Sequence, residues 1–350
     1  MGRLMDTVNR KRLFILIPLC AGSLSLSGCR KSFDPGNTAS NEKATLESLK
    51  SEDDYPVYTM TYKGDYGFSK YLETGTMQAS KSTPASTGWC CSCFAAFDSG
   101  GNGIFGRNFD WYDRATLVLF TDAPEAYASV SVVNLRFLGY STNPDLGSME
   151  SRKDLMLSPY FSLDGLNEKG VAIGMMAIPS AEPPFDPAKT SIGELQVIRL
   201  VLDYASTVEE AVQLIGRYNV IMADPPIHYL IADKAGHSAV VEFVNGNMEV
   251  MRNAYSWQAC TNFILAGSAA LQDFQKASCW RYRMMCNTLV RNGGSLADEQ
   301  GMQLLQQVSQ IFENGGTMWS VVYGMSDGRV LFVPGRIYGS VMSFQSIPHE

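Results

Sequence analysis

The sequence predicts an α+β fold in which sheets pack on one another and are covered by helices. Three observations carry this reading. Short apolar runs broken by Gly, Asp, Asn and Pro fill much of the chain between residues 94 and 178. Two segments with helical apolar spacing follow, each opened by a capping-box pattern. Strand runs and helix runs come in blocks rather than alternating one for one, which disfavours a parallel sheet with crossover helices.

The composition sets bounds on function. The 350 residues are 45% hydrophobic and 18% charged, enough apolar material for a sizeable core and incompatible with wholesale disorder. A formal net charge of -7 supplies no basic stripe to follow a phosphate backbone, so nucleic acid is excluded as the expected partner. Only three histidines are present, which disfavours His-rich metal chemistry.

At the N-terminus, Arg10, Lys11 and Arg12 precede an apolar stretch from Leu13 to Gly22, and Leu26-Ser27-Gly28-Cys29 follows. This pattern is an export signal. It resembles that of a bacterial lipoprotein, which implies removal of residues 1–28, a lipid on Cys29 and anchoring to the bacterial cell envelope. Residues 29–55 are polar and read as a tether. The texture turns aromatic from Tyr58, and no later stretch reads as a second linker, so one globular domain fills the rest of the chain.

Within that domain, strands are expected at Phe94 to Phe97, Ile104 to Phe109, Thr116 to Phe120, Val130 to Leu138 and Val171 to Ile178. Ser191-x-x-Glu194 precedes Leu195, Ile198, Val201, Leu202 and Ala205, and Thr207-x-x-Glu210 frames Val208, Ala211, Val212 and Ile215. Both predict amphipathic helices. Strands resume at His228 to Ala232, Ser238 to Val244 and Met248 to Arg252, with turns at Lys234-Ala235-Gly236 and Asn245-Gly246. Helices over Cys279 to Arg291 and Ala297 to Gln310 precede a hairpin, Ser320 to Tyr323 and Val330 to Val333, turning at Asp327-Gly328.

The chemistry concentrates in Trp89-Cys90-Cys91-Ser92-Cys93-Phe94. Three readings of this cluster stand. Cys90 and Cys93 form a C-x-x-C, a redox pair or half a zinc site, but no second pair follows and Cys260, Cys279 and Cys286 are irregularly spaced. A structural disulfide suits an exported protein. The third reading is a nucleophilic cysteine at a strand start, and the downstream residues sharpen it. A Gly-rich turn at Asp98 to Gly103 returns the chain as Ile104 to Trp111, which brings Arg107 and Asp110 beside the cysteines. Gly101-x-Gly103-x-x-Gly106 matches a dinucleotide fingerprint, but it joins two strands and opens no helix to hold a phosphate.

On Cys91-Ser92-Cys93-Phe94 and Phe105-Gly106-Arg107-Asn108-Phe109-Asp110-Trp111, supported by Asp164 to Gly170 and Thr261-Asn262, the chain resembles the linear amide carbon–nitrogen hydrolases. This group includes choloylglycine hydrolase and penicillin V acylase and belongs to the N-terminal nucleophile hydrolases. The resemblance runs from about Cys91 to the last hairpin and implies a four-layer αββα sandwich. It also implies self-cleavage between Cys90 and Cys91, which divides the chain into a leader segment of residues 56–90, released or retained as a small chain, and a catalytic domain of residues 91–350, and after which the freed α-amine serves as base for the Cys91 thiol. Arg107 would lower the thiol pKa, Asp110 would hold the amine, and Asn262 with a backbone N–H near Ala177 would form the oxyanion hole. Ala177 stands where bile salt hydrolases carry an asparagine, one polar contact fewer. The late arginine of the family matches Arg281, with Arg283 as rival.

The resemblance implies no cofactor or metal, a small N-acyl amide substrate and often a homo-oligomer. An acyltransferase at the same site, a binding lipoprotein and an envelope thiol-redox protein are the alternatives. Within enzymes the rival mechanism is a Cys-His dyad using His228, which otherwise reads as structural.

Overall fold

The computed structural model describes residues 38–52, 55–75, 90–100 and 102–346. The signal segment, Cys29 and residues 76–89 of the leader lie outside the described residues. In chain order the leader supplies α1 (Thr38–Glu47), β1 (Lys50–Ser51), β2 (Val57–Tyr62) and α2 (Phe68–Thr74). The main domain opens with β3 (Cys90–Phe97), β4 (Gly103–Trp111), β5 (Thr116–Thr121), β6 (Ser129–Asn134), β7 (Ser162–Asn167) and β8 (Val171–Ala177). Next come β9 (Ser191–Gly193), α3 (Glu194–Tyr204), α4 (Val208–Ile215), β10 (Asn219–Ile221), β11 (Ile227–Asp233), β12 (Ser238–Val244) and β13 (Asn247–Arg252). The chain ends with β14 (Trp257–Cys260), α5 (Trp280–Arg291), α6 (Asp298–Gln307), β15 (Ile311–Phe312), β16 (Gly315–Gly324), β17 (Arg329–Pro334) and β18 (Met342–Gln345).

Two sheets form the centre. The larger has the order β1-β2-β5-β6-β7-β8-β11-β12-β13, and the second β14-β3-β4-β16-β17-β18, with β15 paired to β16. They meet where β3 lies against β8. Helix α3 covers β7 and β8 on the far side of the large sheet, while α5 lies on β14 and β3 and α6 on β4 and β16. This is the expected αββα sandwich. Strands β3 and β8 are buried on both faces, which explains their nearly uninterrupted apolar and small residues.

The sheets approach closely at Gly174. A Cβ there would lie 3.0 Å from Arg107 Cδ and 3.1 Å from Cys93 Sγ. Because Arg107 is pinned by other bonds, Gly174→Ala is expected to push the sheets apart and cost about 1–3 kcal/mol of stability, read from chemical denaturation.

Several elements depart from the sequence expectation. Residues 38–51, read as tether, are folded: Thr45 and Leu46 are buried, Arg152 Nη1 donates to Leu46 O at 2.8 Å, and β1 pairs with β2. The composition is polar, but a few long-range contacts hold it. Ser191 does not cap a helix, because Ser191–Gly193 pairs in parallel with β10 and the helix starts at Glu194. The second box is half formed: Thr207 Oγ1 accepts from Glu210 N at 3.1 Å, while the Glu210 carboxylate turns to Ser206 N at 2.8 Å. Strand β6 ends at Asn134, whose side chain accepts from Arg136 N and starts a short 3₁₀ turn over Leu135–Leu138. Strand β7 was not expected, since its Asp, Gly and Asn read as turn residues.

Candidate active site

The β3–β4 hairpin builds the centre of the site. At its tip Asp98 Oδ1 accepts from Gly100 N and Asn102 N, each at 2.8 Å, and β4 begins at Gly103, so the Gly-rich stretch is a tight strand connection with no helix after it. The register sets Cys90 opposite Asp110, Cys91 opposite Phe109 and Cys93 opposite Arg107. Directly opposed residues share a face, so Cys91, Cys93 and Arg107 face the other sheet while Cys90 and Asp110 share the opposite face. This corrects the C-x-x-C reading. In a strand, residues three apart project to opposite faces, and Cys90 and Cys93 cannot chelate one ion or close on each other.

Arg107 is completely buried and crosses between the sheets. It forms an ion pair with Asp164 of β7, and its Nη2 donates to Met175 O at 2.7 Å and lies 3.7 Å from Cys91 Sγ. Its guanidinium also sits 5.1 Å from the Phe109 ring centroid. Asp164 further accepts from Trp319 Nε1 at 3.1 Å and Tyr323 OH at 2.5 Å. Burial pushes the Asp164 carboxyl up, and Arg107 and the two ring donors pull it back. Arg107 favours the Cys91 thiolate as expected, but burial outweighs it and the thiol is pushed up to about 11. The Cys91 thiol therefore rests protonated at neutral pH.

On the opposite face, Asp110 accepts from Thr317 Oγ1 at 2.6 Å and Gln310 Nε2 at 2.7 Å, and pairs with Arg281 Nη1 at 3.4 Å. Burial still pushes its carboxyl upward. Arg281 is buried on α5; Nη1 also donates to Cys91 O at 2.8 Å and Nη2 to Asn262 Oδ1 at 2.9 Å. The rival Arg283 instead caps its own helix start, on the carbonyls of Ala277 and Ser278. Asn262, just past β14, accepts from Cys91 N at 2.6 Å and donates through Nδ2 to Ala177 O at 2.8 Å. Cys91, Arg107, Asp110, Asn262, Arg281 and Ala177 thus converge as one constellation. Within it the Cys91 nitrogen donates to Asn262, while Asp110 pairs with Arg281 and accepts from Thr317 and Gln310.

His228 does not approach Cys91. It is buried, with Nδ1 2.7 Å from Glu242 Oε1 and Nε2 2.8 Å from Thr261 O, and the thiol beside it belongs to Cys260. Asp164, Thr317 and Gln310 are site residues that the sequence reading did not assign. Only Asp164 carried a signal, as the first residue of the Asp164-Gly165-Leu166-Asn167 segment.

A cleft of about 530 Å³ is lined by Thr317, whose hydroxyl bonds Asp110, and by Tyr55, Tyr112, Arg114, Thr142 and Ile337. Tyr55 belongs to the leader, and the Arg114 guanidinium lies 5.7 Å from the centroid of its ring.

The sequence profile of the linear amide C–N hydrolases, choloylglycine hydrolase family, matches residues 91–262. No curated relative matches the chain in sequence. Among solved structures, two variants of the conjugated bile acid hydrolase from Clostridium perfringens are similar at 16% and 15% identity, with TM-scores of 0.54 and 0.56. Each comparison covers 73% of this chain and 92% of the bacterial enzyme. Penicillin V acylase from Agrobacterium tumefaciens is similar at 17% identity and TM-score 0.54, covering 73% of this chain and 86% of its own. These structures share the N-terminal nucleophile hydrolase fold. The profile match begins at Cys91 and ends at the asparagine that holds its nitrogen, and across these residues the chain is similar in sequence to the linear amide C–N hydrolases of the choloylglycine hydrolase family.

Proposed function

We propose that the protein is a cysteine amidase that matures by cutting its own chain between Cys90 and Cys91. The single observation that carries this reading is the treatment of Cys91: its nitrogen, carbonyl and sulfur each meet a separate polar side chain, Asn262, Arg281 and Arg107. In the first reaction Cys91 Sγ attacks the Cys90 carbonyl carbon, the peptide C–N bond breaks, and the nitrogen leaves as the α-amine of Cys91. Water then hydrolyses the thioester, leaving a carboxylate on Cys90 and a free thiol.

The freed amine, with an ordinary pKa near 8, takes the thiol proton in each later turnover. The thiolate attacks the amide carbonyl of the substrate, and the leaving amine departs with that proton. Water hydrolyses the acyl-enzyme thioester to release the acid. Asn262 Nδ2 already donates one hydrogen to Ala177 O and carries a second for the tetrahedral oxyanion.

The substrate we infer is a small N-acyl amide of the conjugated bile acid, penicillin V, acyl-homoserine lactone or fatty amide type. The test is release of free amine from a panel of these four amides, together with N-terminal sequencing of the purified protein. An N-terminus at Cys91 with amide turnover supports the reading; turnover by a fully uncut chain overturns it.

The leader is proposed to remain docked after the cut. Strand β2 lies in the large sheet beside β5, and Tyr62, Tyr66, Phe68 and Tyr71 are buried. Each such side chain contributes about 1.5–3 kcal/mol on burial. Tyr66 OH also donates to Asp203 at 2.6 Å, and Tyr160 OH to Tyr66 O at 2.8 Å. Two bands on denaturing electrophoresis that co-elute as one species in size exclusion are the expected result. With a lipid on Cys29, as the export pattern suggests, the leader would tether the catalytic chain to the cell envelope through these contacts alone.

A further inference from the structure

The buried pair His228–Glu242 lies outside the constellation around Cys91, yet its side-chain bonds to backbone groups, Thr261 O, Leu265 N and Ala266 N, end on the loop that carries Asn262. His228 in β11 and Glu242 in β12 are cross-strand neighbours, one step beyond the register Tyr229–Val241. Both are fully buried. His228 Nε2 lies 2.8 Å from Thr261 O, the carbonyl immediately before Asn262. Glu242 accepts from Leu265 N at 2.9 Å and Ala266 N at 2.9 Å, three and four residues after Asn262. The loop is thus fastened on both sides of Asn262, and the fasteners are joined by the bond of 2.7 Å between Nδ1 and Oε1.

The hydrogens in this network are constrained. A carbonyl can only accept, so Nε2 must carry a proton directed at Thr261 O. Nε2 is therefore no base for the Cys260 thiol, although that sulfur lies 3.3 Å away. Burial pushes the Cys260 thiol well above its ordinary range, and its side chain is completely enclosed. A second nucleophile at Cys260 is thereby disfavoured, and the remaining task for the pair is to hold the loop. Burial acts against the charged form of Glu242, but the bonds from His228 and the two loop amides outweigh it and bring the carboxyl below its ordinary value.

We infer that His228 and Glu242 are positioning residues for Asn262, fixing the backbone of residues 261–266 so that the Asn262 amide stays aligned on Cys91. The inference rests on the proposed role of Asn262 as the oxyanion donor. Asn262 reaches Cys91 N, Arg281 and Ala177 O through one short side chain, so a backbone shift of about 1 Å at Thr261 breaks that alignment, a displacement that can cost about 10²-fold in rate.

The test is a double-mutant cycle on the processed full chain, with penicillin V and a glycine-conjugated bile acid as probes. Asn262→Ala is expected to lower kcat by about 10²–10³-fold. His228→Leu is expected to lower kcat by about 10²-fold with KM little changed. His228→Gln, which can still donate to Thr261 O, should recover part of that loss. In the Asn262→Ala background, His228→Leu should cost little more, because the group being positioned is gone. Hydrogen exchange at Leu265 and Ala266 should accelerate in Glu242→Leu and less in Glu242→Gln, a readout that needs no substrate. Should His228→Leu fail to fold, His228→Gln and Glu242→Gln complete the same cycle. Full turnover by Asn262→Ala would overturn the oxyanion role and the inference with it. A loss in Asn262→Ala with multiplicative losses in the double variant would leave that role standing and overturn the positioning role alone.

Discussion

Cys91→Ala is expected to leave the chain uncut and to abolish amide turnover, with kcat falling by about 10⁴-fold or more, the scale seen when a covalent nucleophile is removed. Both losses follow from one atom. In the proposed mechanism Sγ attacks the Cys90 carbonyl and again the substrate, and the remaining polar groups around it, Arg107, Asn262 and Arg281, offer no nucleophile. The substitution should fold, since alanine occupies less space in the same buried strand position. Intact mass and denaturing electrophoresis read the first loss, amine release the second. The wild-type cut should also depend on pH in a defined direction. Burial raises the thiol to about 11, so the thiolate fraction, and with it the cleavage rate, should climb about tenfold per unit from neutrality until pH approaches that value. A rate independent of pH between about 7 and 10 would mean that the neutral thiol attacks with its proton removed by another group.

The hairpin was readable because its information is local. Cys91, Arg107 and Asp110 lie on two strands joined by one short turn, so alternation and turn chemistry fix which of them share a face. Asn262 and Arg281 entered through family resemblance. The structure brings both to Cys91 by way of β14 and α5, and no local pattern specifies that approach. Asp164 was hidden for a physical reason. Its strand contains Asp, Gly and Asn, residues that favour turns, and only the Arg107 guanidinium arriving from the other sheet makes a buried carboxylate tolerable there. Thr317, Gln310, His228 and Glu242 are likewise defined by partners far along the chain. The folding of residues 38–51 was missed in the same way, since one buried leucine and a short edge pairing do not register in a polar composition.

Asp164→Asn is expected to destabilise the protein more than any substitution at the surface, by about 3–5 kcal/mol, because it leaves the Arg107 charge buried without its counterion. The amide fits the same space but keeps a single acceptor oxygen, where Tyr323 donates to Oδ1 and Trp319 to Oδ2, so lost charge with one lost acceptor, rather than lost volume, is what the experiment reads. Chemical denaturation of the variant gives the magnitude. The decisive comparison is the double variant Asp164→Leu with Arg107→Met, which removes both charges and fills the gap with apolar atoms. Replacing a buried pair in this way is often neutral or stabilising, so the double variant should regain most of the stability lost in Asp164→Asn. It should not regain turnover, because the positive charge 3.7 Å from Cys91 Sγ is gone and no longer opposes the upward push of burial on the thiol. A double variant that recovers both stability and activity would reduce the ion pair to packing. Recovery of stability alone would show that the chain keeps a costly charge between its sheets for the chemistry of Cys91.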